Sequence, residues 1–376
     1  MKNAISIFLQ ERIDEGDFPS AVYLVAEKGR IVFQDALGYA VVEPERVAAR
    51  LDTIYDLASL TKPLVTGLIA AHLKERSEVD PEKILGYYFP EIDEFSGFSD
   101  FDALDTLVSE LLTHTSGYQA WKPFYLFNKD RSEVLAEIFR TERLPTKLEV
   151  VYSDLGFLTL MFLLERVTGQ DIGSLAESII INPLELGNTF FAPDAALKGR
   201  IAASEKGNEY ERRTCAEKFP EIRIPHSALR SHLIWGEVHD GNAWFMGGVA
   251  GHAGLFSTAG EVFRMALQFL PQYTQLLKRE TCELFRTNFT PGMNEDRSFA
   301  FQLASTKDST AGKGMSPESF GHLGFTGTSL WIDPVKERIF VLLTNRTHAH
   351  SLPFANINSV RRRFHDLANE LLDEKN

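Results

Sequence analysis

Cysteine is nearly absent: Cys215 and Cys282 are the two in 376 residues. That excludes a disulfide scaffold and a cysteine-rich zinc module. A basic excess is missing too, since 39 Lys and Arg face 52 Asp and Glu, a formal charge of −13. Nucleic acid and anionic membranes both need a basic patch, so neither is an expected partner. No apolar run reaches the ~18 residues of a membrane span. The longest, around Leu158–Leu164, has the length of a core helix. Met1–Glu15 holds no unbroken apolar stretch of ~7–15 residues before a small-residue cleavage site. It reads as a mixed helix with Ile5, Phe8, Leu9 and Ile13 roughly on one side, and the expected setting is cytoplasmic. Internal repeats and low-complexity segments are also lacking.

What is present is ordinary globular material, 44% apolar and 24% charged. The 28 phenylalanines imply a substantial aromatic core, or a pocket that needs one. At ~100–200 residues per domain, the length suits two or three domains, or one large domain carrying an insertion. Ala21–Ala26 and Arg30–Leu37 flank Glu27-Lys28-Gly29, a hairpin signal. Gly324–Ile332 and Arg338–Thr344 flank a second turn, and a last helix places Val360, Phe364, Leu367 and Leu371 at helical spacing. Between these ends, Leu60–Arg76, Thr106–Leu112, Ser132–Arg140 and Ser153–Thr168 read as helices, with Gly169 a helix stop. The expected class is therefore α/β, an α+β sandwich. Its antiparallel sheet is built from both chain ends with flanking helices, and a mostly helical domain is inserted. The expected boundaries are 1–58 with 200–376 for the sheet domain and 59–199 for the insertion, the site lying between them. Ala202–Arg230 is polar and irregular, an excursion or lid.

Three local features can carry chemistry. Ser59-Leu60-Thr61-Lys62 opens a helix, so Lys62 returns to the face of Ser59. An ammonium beside a hydroxyl in a partly dry site lowers the cost of an alkoxide, and the helix N-terminus adds favourable potential. The plainer reading is a Ser cap followed by a solvated Lys. Tyr152-Ser153-Asp154 precedes an apolar helix, where a phenol near Lys62 can serve as a general base. A boundary aromatic with a polar cap is the plainer alternative. Gly321-His322-Leu323-Gly324-Phe325-Thr326-Gly327-Thr328 concentrates glycine where a strand is expected. Such glycines admit a close backbone or ligand, and an extended substrate pairs with such an edge; a bulged hairpin strand is the alternative.

Taken together, and in this order, the three features resemble the serine penicillin-recognising family. That family includes class C β-lactamases, D,D-peptidases and esterases with a β-lactamase fold; the kindred class A set is S-x-x-K, S-D-N and K-T-G. Supporting phrases are Asp56-Leu57-Ala58, Leu111-Leu112-Thr113-His114-Thr115-Ser116-Gly117, Pro183-Leu184 and Gly251–Thr258. The resemblance runs from about Phe18 to about Arg346. It implies that Ser59 is the acylated nucleophile, that Lys62 hydrogen-bonds Ser59 and Tyr152, and that Tyr152 is base in acylation and acid toward the leaving group. It further implies an oxyanion hole from the backbone N–H groups of Ser59 and Phe325. Hydrolysis then uses neither metal nor organic cofactor. Asp154, His322 and Gly324 would contact substrate.

Two positions depart from the family pattern. Asp154 stands where the class C-like branch has Asn, and an ionised carboxylate cannot donate to a substrate carbonyl. It would instead favour a charged Lys62 and oppose a tyrosinate at Tyr152. His322-Leu323 replaces Lys-Thr. A histidine near pKa ~6.5 is mostly neutral at pH 7, and Leu323 offers no hydrogen bond. Both changes weaken recognition of an acidic β-lactam. The expected activity is a serine hydrolase leaning to esters or small amides, with a small or short peptide-like substrate. The alternatives are a D,D-carboxypeptidase or β-lactamase, and a catalytically idle binding protein on the same fold.

Other features read as structural. Val238-His239-Asp240-Gly241-Asn242 either forms a cleft wall or anchors its loop, with anchoring favoured. Ser257-Thr258 with Glu261 is a helix cap. His348-Ala349-His350 and His226…His232 lack a ligand spacing and read as surface or loop histidines. Gly327–Trp331 misses the nucleophile-elbow pattern at its last position. Trp121, Phe124, Tyr125 and Phe127 either line an apolar acyl pocket or cap the helical core.

Overall fold

The structure is a computed structural model that describes residues 3–91 and 103–375. Met1 and Lys2 of the expected first helix lie outside the described residues. The strands are β1 (Ser20–Glu27), β2 (Arg30–Val41), β3 (Val47–Ala48), β4 (Tyr55–Asp56), β5 (Phe190–Phe191), β6 (Leu255–Ser257), β7 (Gln302–Leu303), β8 (Phe320–Leu323), β9 (Ser329–Asp333) and β10 (Arg338–Thr344). Seven of them form an antiparallel sheet in the order β3-β2-β1-β10-β9-β8-β7. The first and last strands pair at its centre, Ala21 opposite Thr344 and Glu27 opposite Arg338. The small sheet β4-β6-β5 leads the chain into Ser59.

Alternation along the central strands explains their unbroken apolar runs. Ala21, Tyr23 and Val25 on β1, with Phe340 and Leu342 on β10, join one core. Val22, Leu24 and Ala26, with Ile339, Val341 and Leu343, join the other. Strands covered on both faces have no polar side to show. The helices that matter here are α1 (Ala4–Asp14), α2 (Leu68–Glu75), α3 (Asp154–Thr168), α4 (Glu209–Lys218), α5 (Ala259–Ala266) and α6 (Asn358–Asp373). Ile5 and Leu9 of α1 and Val360, Phe364 and Leu367 of α6 cover the first face. Val262, Phe263 and Ala266 of α5 belong to the second core, as does the apolar run of α3. Each such side chain contributes ~1.5–3 kcal/mol by leaving water.

Local chemistry sets the boundaries. The first hairpin turns on Lys28 (φ 50°) and Gly29 (φ 70°), the two left-handed residues that a two-residue hairpin turn needs. At α3, the Ser153 hydroxyl accepts the Gly156 N–H at 3.2 Å, and Gly169 (φ 70°) ends the helix. Thr258 caps α5 by accepting the Glu261 N–H. Phe269, Phe285, Phe301 and Phe320 meet edge to face, with Phe269 and Phe301 4.9 Å apart. They form a core beside β7 and β8, which answers the aromatic excess.

Two expectations are corrected. The strand expected from Gly324 begins only at Ser329; Phe320–Leu323 is a strand of its own, and Gly324–Thr328 reverses the chain between them. The Gly324 N–H donates to the Thr328 carbonyl at 2.8 Å, and Gly327 takes φ 113°, which breaks extended structure. The helix expected over Leu60–Arg76 is not uniform. Ala58–Leu60 is a 3₁₀ turn, Lys62–Gly67 a π-helical turn, and α2 follows. Pro63 lacks the N–H that a regular first turn would use, and such wide turns concentrate at functional positions.

Candidate active site

Ser59 is placed by the residues just before it. β4 ends at Asp56, whose carboxylate accepts the Ala58 N–H at 2.8 Å and the His239 N–H at 2.7 Å. These bonds hold Ala58 at φ 47°, an unfavourable conformation for a residue with a side chain. The turn so formed presents Ser59 half-buried at the cleft surface. Strain of this kind persists only where the surroundings over-determine it.

Lys62 lies fully buried beneath the serine. Its ammonium donates to the Ser59 hydroxyl at 3.0 Å and to the His252 carbonyl at 3.0 Å, and pairs with Asp154 at 2.6 Å. The carbonyl is there because Gly251 packs against α3: a Cβ at that position would sit 2.7 Å from Met161 and 2.8 Å from the Phe157 carbonyl. Burial pulls the Lys62 pKa down, but the Asp154 charge and the Tyr152 phenol more than offset it, and the net shift is upward. Burial pushes the Tyr152 phenol up. The Lys62 charge opposes that, Asp154 adds to it, hydrogen bonds from Lys62 and Ser59 pull it down, and the net is again upward. Both shifts favour an ammonium at Lys62 and a neutral phenol at Tyr152.

The turn between β8 and β9 is fastened to the same place. The Thr326 hydroxyl donates to the Asp56 carbonyl at 2.8 Å, and the Thr328 hydroxyl to the Leu57 carbonyl at 3.0 Å. A Cβ at Gly324 would lie 2.6 Å from that Leu57 carbonyl and 2.0 Å from the Thr328 hydroxyl. The glycine therefore admits a second backbone, one of its two expected uses. Phe325 is fixed from outside by Tyr210 and His239, with ring centroids at 4.7 and 5.4 Å, and Arg346 donates to its carbonyl at 2.8 Å.

Ser59, Tyr152, Asp154, His322, Gly324 and Phe325 line one cleft of about 580 Å³, a usual size for a small-ligand site. His322 donates from Nδ1 to the Leu323 carbonyl at 2.9 Å. Burial, and then the charges of Lys62 and Arg297, hold its pKa well below 6.5, so it is a neutral acceptor rather than a cation. Ligand atoms of Asp154, Asp240 and His252 lie within 4.8 Å of one another. The Lys62 ammonium, in contact with Asp154, already supplies positive charge there.

Sequence reasoning missed several cleft residues. Arg297, Arg346 and Arg361 all line it, so the fixed cations absent at position 322 enter from elsewhere. Arg361, on α6, donates to the Gly324 and Thr328 carbonyls at 2.9 Å each, while its buried Nε–H has no partner among the described residues. No short-range pattern marks these arginines, which come from three separate segments. Ala202–Arg230 is a wall, not an irregular excursion: α4 lies inside it and sets Tyr210, Glu211, Thr214 and Lys218 on the cleft. His239 and Asp240 both anchor and line. Asp240 caps its helix through the Ala243 N–H and meets His252 Nε2 at 2.9 Å. Trp121 lines the cleft, Phe124 belongs to the core, and Tyr125 lies beneath Glu211. His348, expected at the surface or in a loop, is a buried loop residue held by the Val42 N–H and the Ser204 carbonyl.

The sheet, the helical region and this cleft define a serine hydrolase of β-lactamase fold. The profile described as Beta-lactamase matches residues 7–361, and the chain belongs to that family. A protein of Escherichia coli (strain K12) named "Putative D-alanyl-D-alanine carboxypeptidase" is 33% identical over 92% of this chain and 82% of its own length. A Salmonella agona (strain SL483) protein of the same name is 32% identical over 93% and 83%. Among solved structures, EstCE1, described as a hydrolase with promiscuous acyltransferase activity, has a TM-score of 0.72 at 19% identity, covering 97% of both chains. A class C β-lactamase from Rhodobacter sphaeroides has a TM-score of 0.70 at 18% identity, covering 99% of this chain and all of its own. These two likenesses establish the fold. Among the described residues no helix is long and apolar enough to cross a membrane.

Proposed function

We propose that this chain hydrolyses esters and small amides through an acyl-enzyme on Ser59, with at most weak β-lactamase activity. The observation that carries the reading is the Lys62 ammonium 3.0 Å from the Ser59 hydroxyl, beneath a cleft that Tyr152 also lines. Ser59 Oγ attacks the substrate carbonyl carbon. Its proton passes to the Tyr152 oxygen as the phenol gives its own proton to the leaving alcohol or amine. This relay suits a phenol that starts neutral and needs no net base. Lys62 remains an ammonium and stabilises the developing negative charge. The N–H groups of Ser59 and Phe325 receive the oxyanion. Water then attacks the ester carbonyl, giving one proton to Tyr152 while the phenol returns its own to Ser59 Oγ. The acid is released and the starting state restored.

The lean away from β-lactams rests on Asp154, which accepts but does not donate, and on Leu323, which offers no hydrogen bond. The division into 1–58 with 200–376 and an inserted 59–199 is also our proposal; the cleft draws Tyr152 from one part and Phe325 from the other. A panel of esters, amides and β-lactams on the native chain and Ser59→Ala tests the reading. Ester hydrolysis should fall at least ~10³-fold in the variant. Full ester activity in Ser59→Ala would sink the mechanism. Absence of any Ser59 adduct with a fluorophosphonate probe would favour an idle binding protein.

A second reading is a D,D-carboxypeptidase. Arg361 favours it, because it lines the cleft with an Nε–H that has no partner among the described residues and a guanidinium suits a terminal carboxylate, and so do the names of the relatives. Release of D-alanine from peptides ending in D-Ala-D-Ala, with a penicillin mass adduct lost in Ser59→Ala, would establish it over the ester reading.

A further inference from the structure

The cleft holds one buried carboxylate that the proposed chemistry does not use. Glu211, on α4, is 5% exposed and lines the cleft beside Tyr210. Its Oε2 accepts the Tyr125 O–H at 2.6 Å, and its Oε1 accepts the Gly241 N–H at 2.8 Å. The seat is built to shape: a Cβ at Gly241 would lie 2.1 Å from Oε2. Both donors are neutral. The charged groups nearby are otherwise engaged or repulsive. Asp154 is paired with Lys62, Glu205 with His239, and Asp240 with His252. The Arg230 guanidinium is spent on Asn208 Oδ1 at 2.8 Å, the His239 carbonyl at 2.6 Å, the Val238 carbonyl, and Glu237 at 3.5 Å. Lys218 lies 6.0 Å over the Trp121 ring.

Among the described residues, then, Glu211 has two hydrogen bonds and no ion-pair partner. A buried carboxylate that no cation touches is costly, even with the Arg230 charge acting from farther off. Burial first, and then the Asp240 charge, push its pKa up to about 7, against the pull of the Tyr125 and Gly241 hydrogen bonds and of neighbouring His239. A substrate entering this cleft can supply what the protein omits. We infer that Glu211 forms a subsite for an ammonium group, so that preferred substrates carry a free amine: aminoacyl esters, aminoacyl amides or short peptides with a free amino end. The carboxylate adds a charge-assisted hydrogen bond, and the Trp121 and Tyr210 faces suit the cation's flanks. This inference rests on the reading of the cleft as catalytic.

Benzyl esters of both alanine enantiomers and of β-alanine, each with the amine free or acetylated, provide the test. In the native chain the better free-amine ester should exceed its acetylated partner by about tenfold or more in kcat/KM. In Glu211→Gln that ratio should fall toward one. Each ratio is taken within one protein, so a partly folded variant does not distort it, and the native comparison needs no variant. A native ratio of one or below for all three esters, or a native-sized ratio retained in Glu211→Gln, overturns the ammonium subsite. Hydrolysis of p-nitrophenyl acetate that vanishes in Ser59→Ala keeps the catalytic reading standing in either case; its persistence would mean that the catalytic reading itself had failed.

Discussion

Asp154 is the largest single support for a charged Lys62. Its carboxylate contacts the Lys62 ammonium at 2.6 Å and, with Tyr152, more than offsets the burial that lowers the lysine's pKa. In Asp154→Asn that support is gone and burial dominates, so the Lys62 pKa should drop. If the ammonium is needed, activity on a neutral ester should then fail at lower pH than in the native chain. A pH–rate profile of both proteins checks this, and coincident alkaline limbs would contradict it. The new amide N–H₂ can donate to a substrate carbonyl, so hydrolysis of a chromogenic cephalosporin should rise relative to the ester. That Ser59 and Lys62 share a face was legible because three residues along a helical turn return to it, whereas Tyr152 entered through the family resemblance. Arg297 and Arg361 were not legible, because they reach the cleft from a loop and from α6, at no fixed interval from the serine.

At the scale of elements, the β8–β9 turn and the Ser59 turn behave as one unit. Thr326 and Thr328 bind the carbonyls of Asp56 and Leu57, so the two candidate oxyanion donors are positioned together. Thr328→Val keeps the shape and leaves the Leu57 carbonyl with the Leu60 N–H alone, at 3.1 Å. The expected cost is ~0.5–1.5 kcal/mol of stability, with kcat reduced by about tenfold or more and KM little changed, because a donor shifted by a fraction of an ångström chiefly harms the transition state. Steady-state kinetics and urea unfolding on one preparation separate the two effects; a KM increase at unchanged kcat would contradict the positioning role. The glycine-rich octet was recognisable as special from composition. Its turn was not, because whether glycine bends or bulges a strand depends on partners as remote as Leu57 and Thr344. The first hairpin and α3 were legible nearly to the residue, since Lys28-Gly29, Ser153 and Gly169 act locally.

For the whole molecule, two-sided burial of the main sheet makes stability sensitive to acid through buried histidines. His365 on α6 packs against the Trp331 and Phe340 rings, and its Nδ1 meets the Thr310 carbonyl at 2.7 Å. Burial lowers its pKa to about 3. Above pH ~6.5 the group is neutral folded and unfolded. Below that, the unfolded chain takes up the proton and the folded one does not until about pH 3, so stability falls by ~1.4 kcal/mol per pH unit. His365→Asn should therefore lose about 2 kcal/mol less than the native chain between pH 6.5 and 5 in urea unfolding. Equal losses would show that another group sets the acid limit. The net charge of −13, informative about nucleic acid, says nothing of this.

The central pairing of β1 with β10 has a consequence for synthesis. The partners stand about 310 to 320 residues apart in the chain. At ~5–20 residues per second, a ribosome needs roughly 15–60 s to deliver the second after the first. Throughout that interval the N-terminal hairpin must wait with an apolar edge unpaired, open to neighbouring nascent chains on the same message. Production of this protein is accordingly expected to depend on holdase chaperones, and fragments that stop before Arg338 are expected to aggregate rather than accumulate.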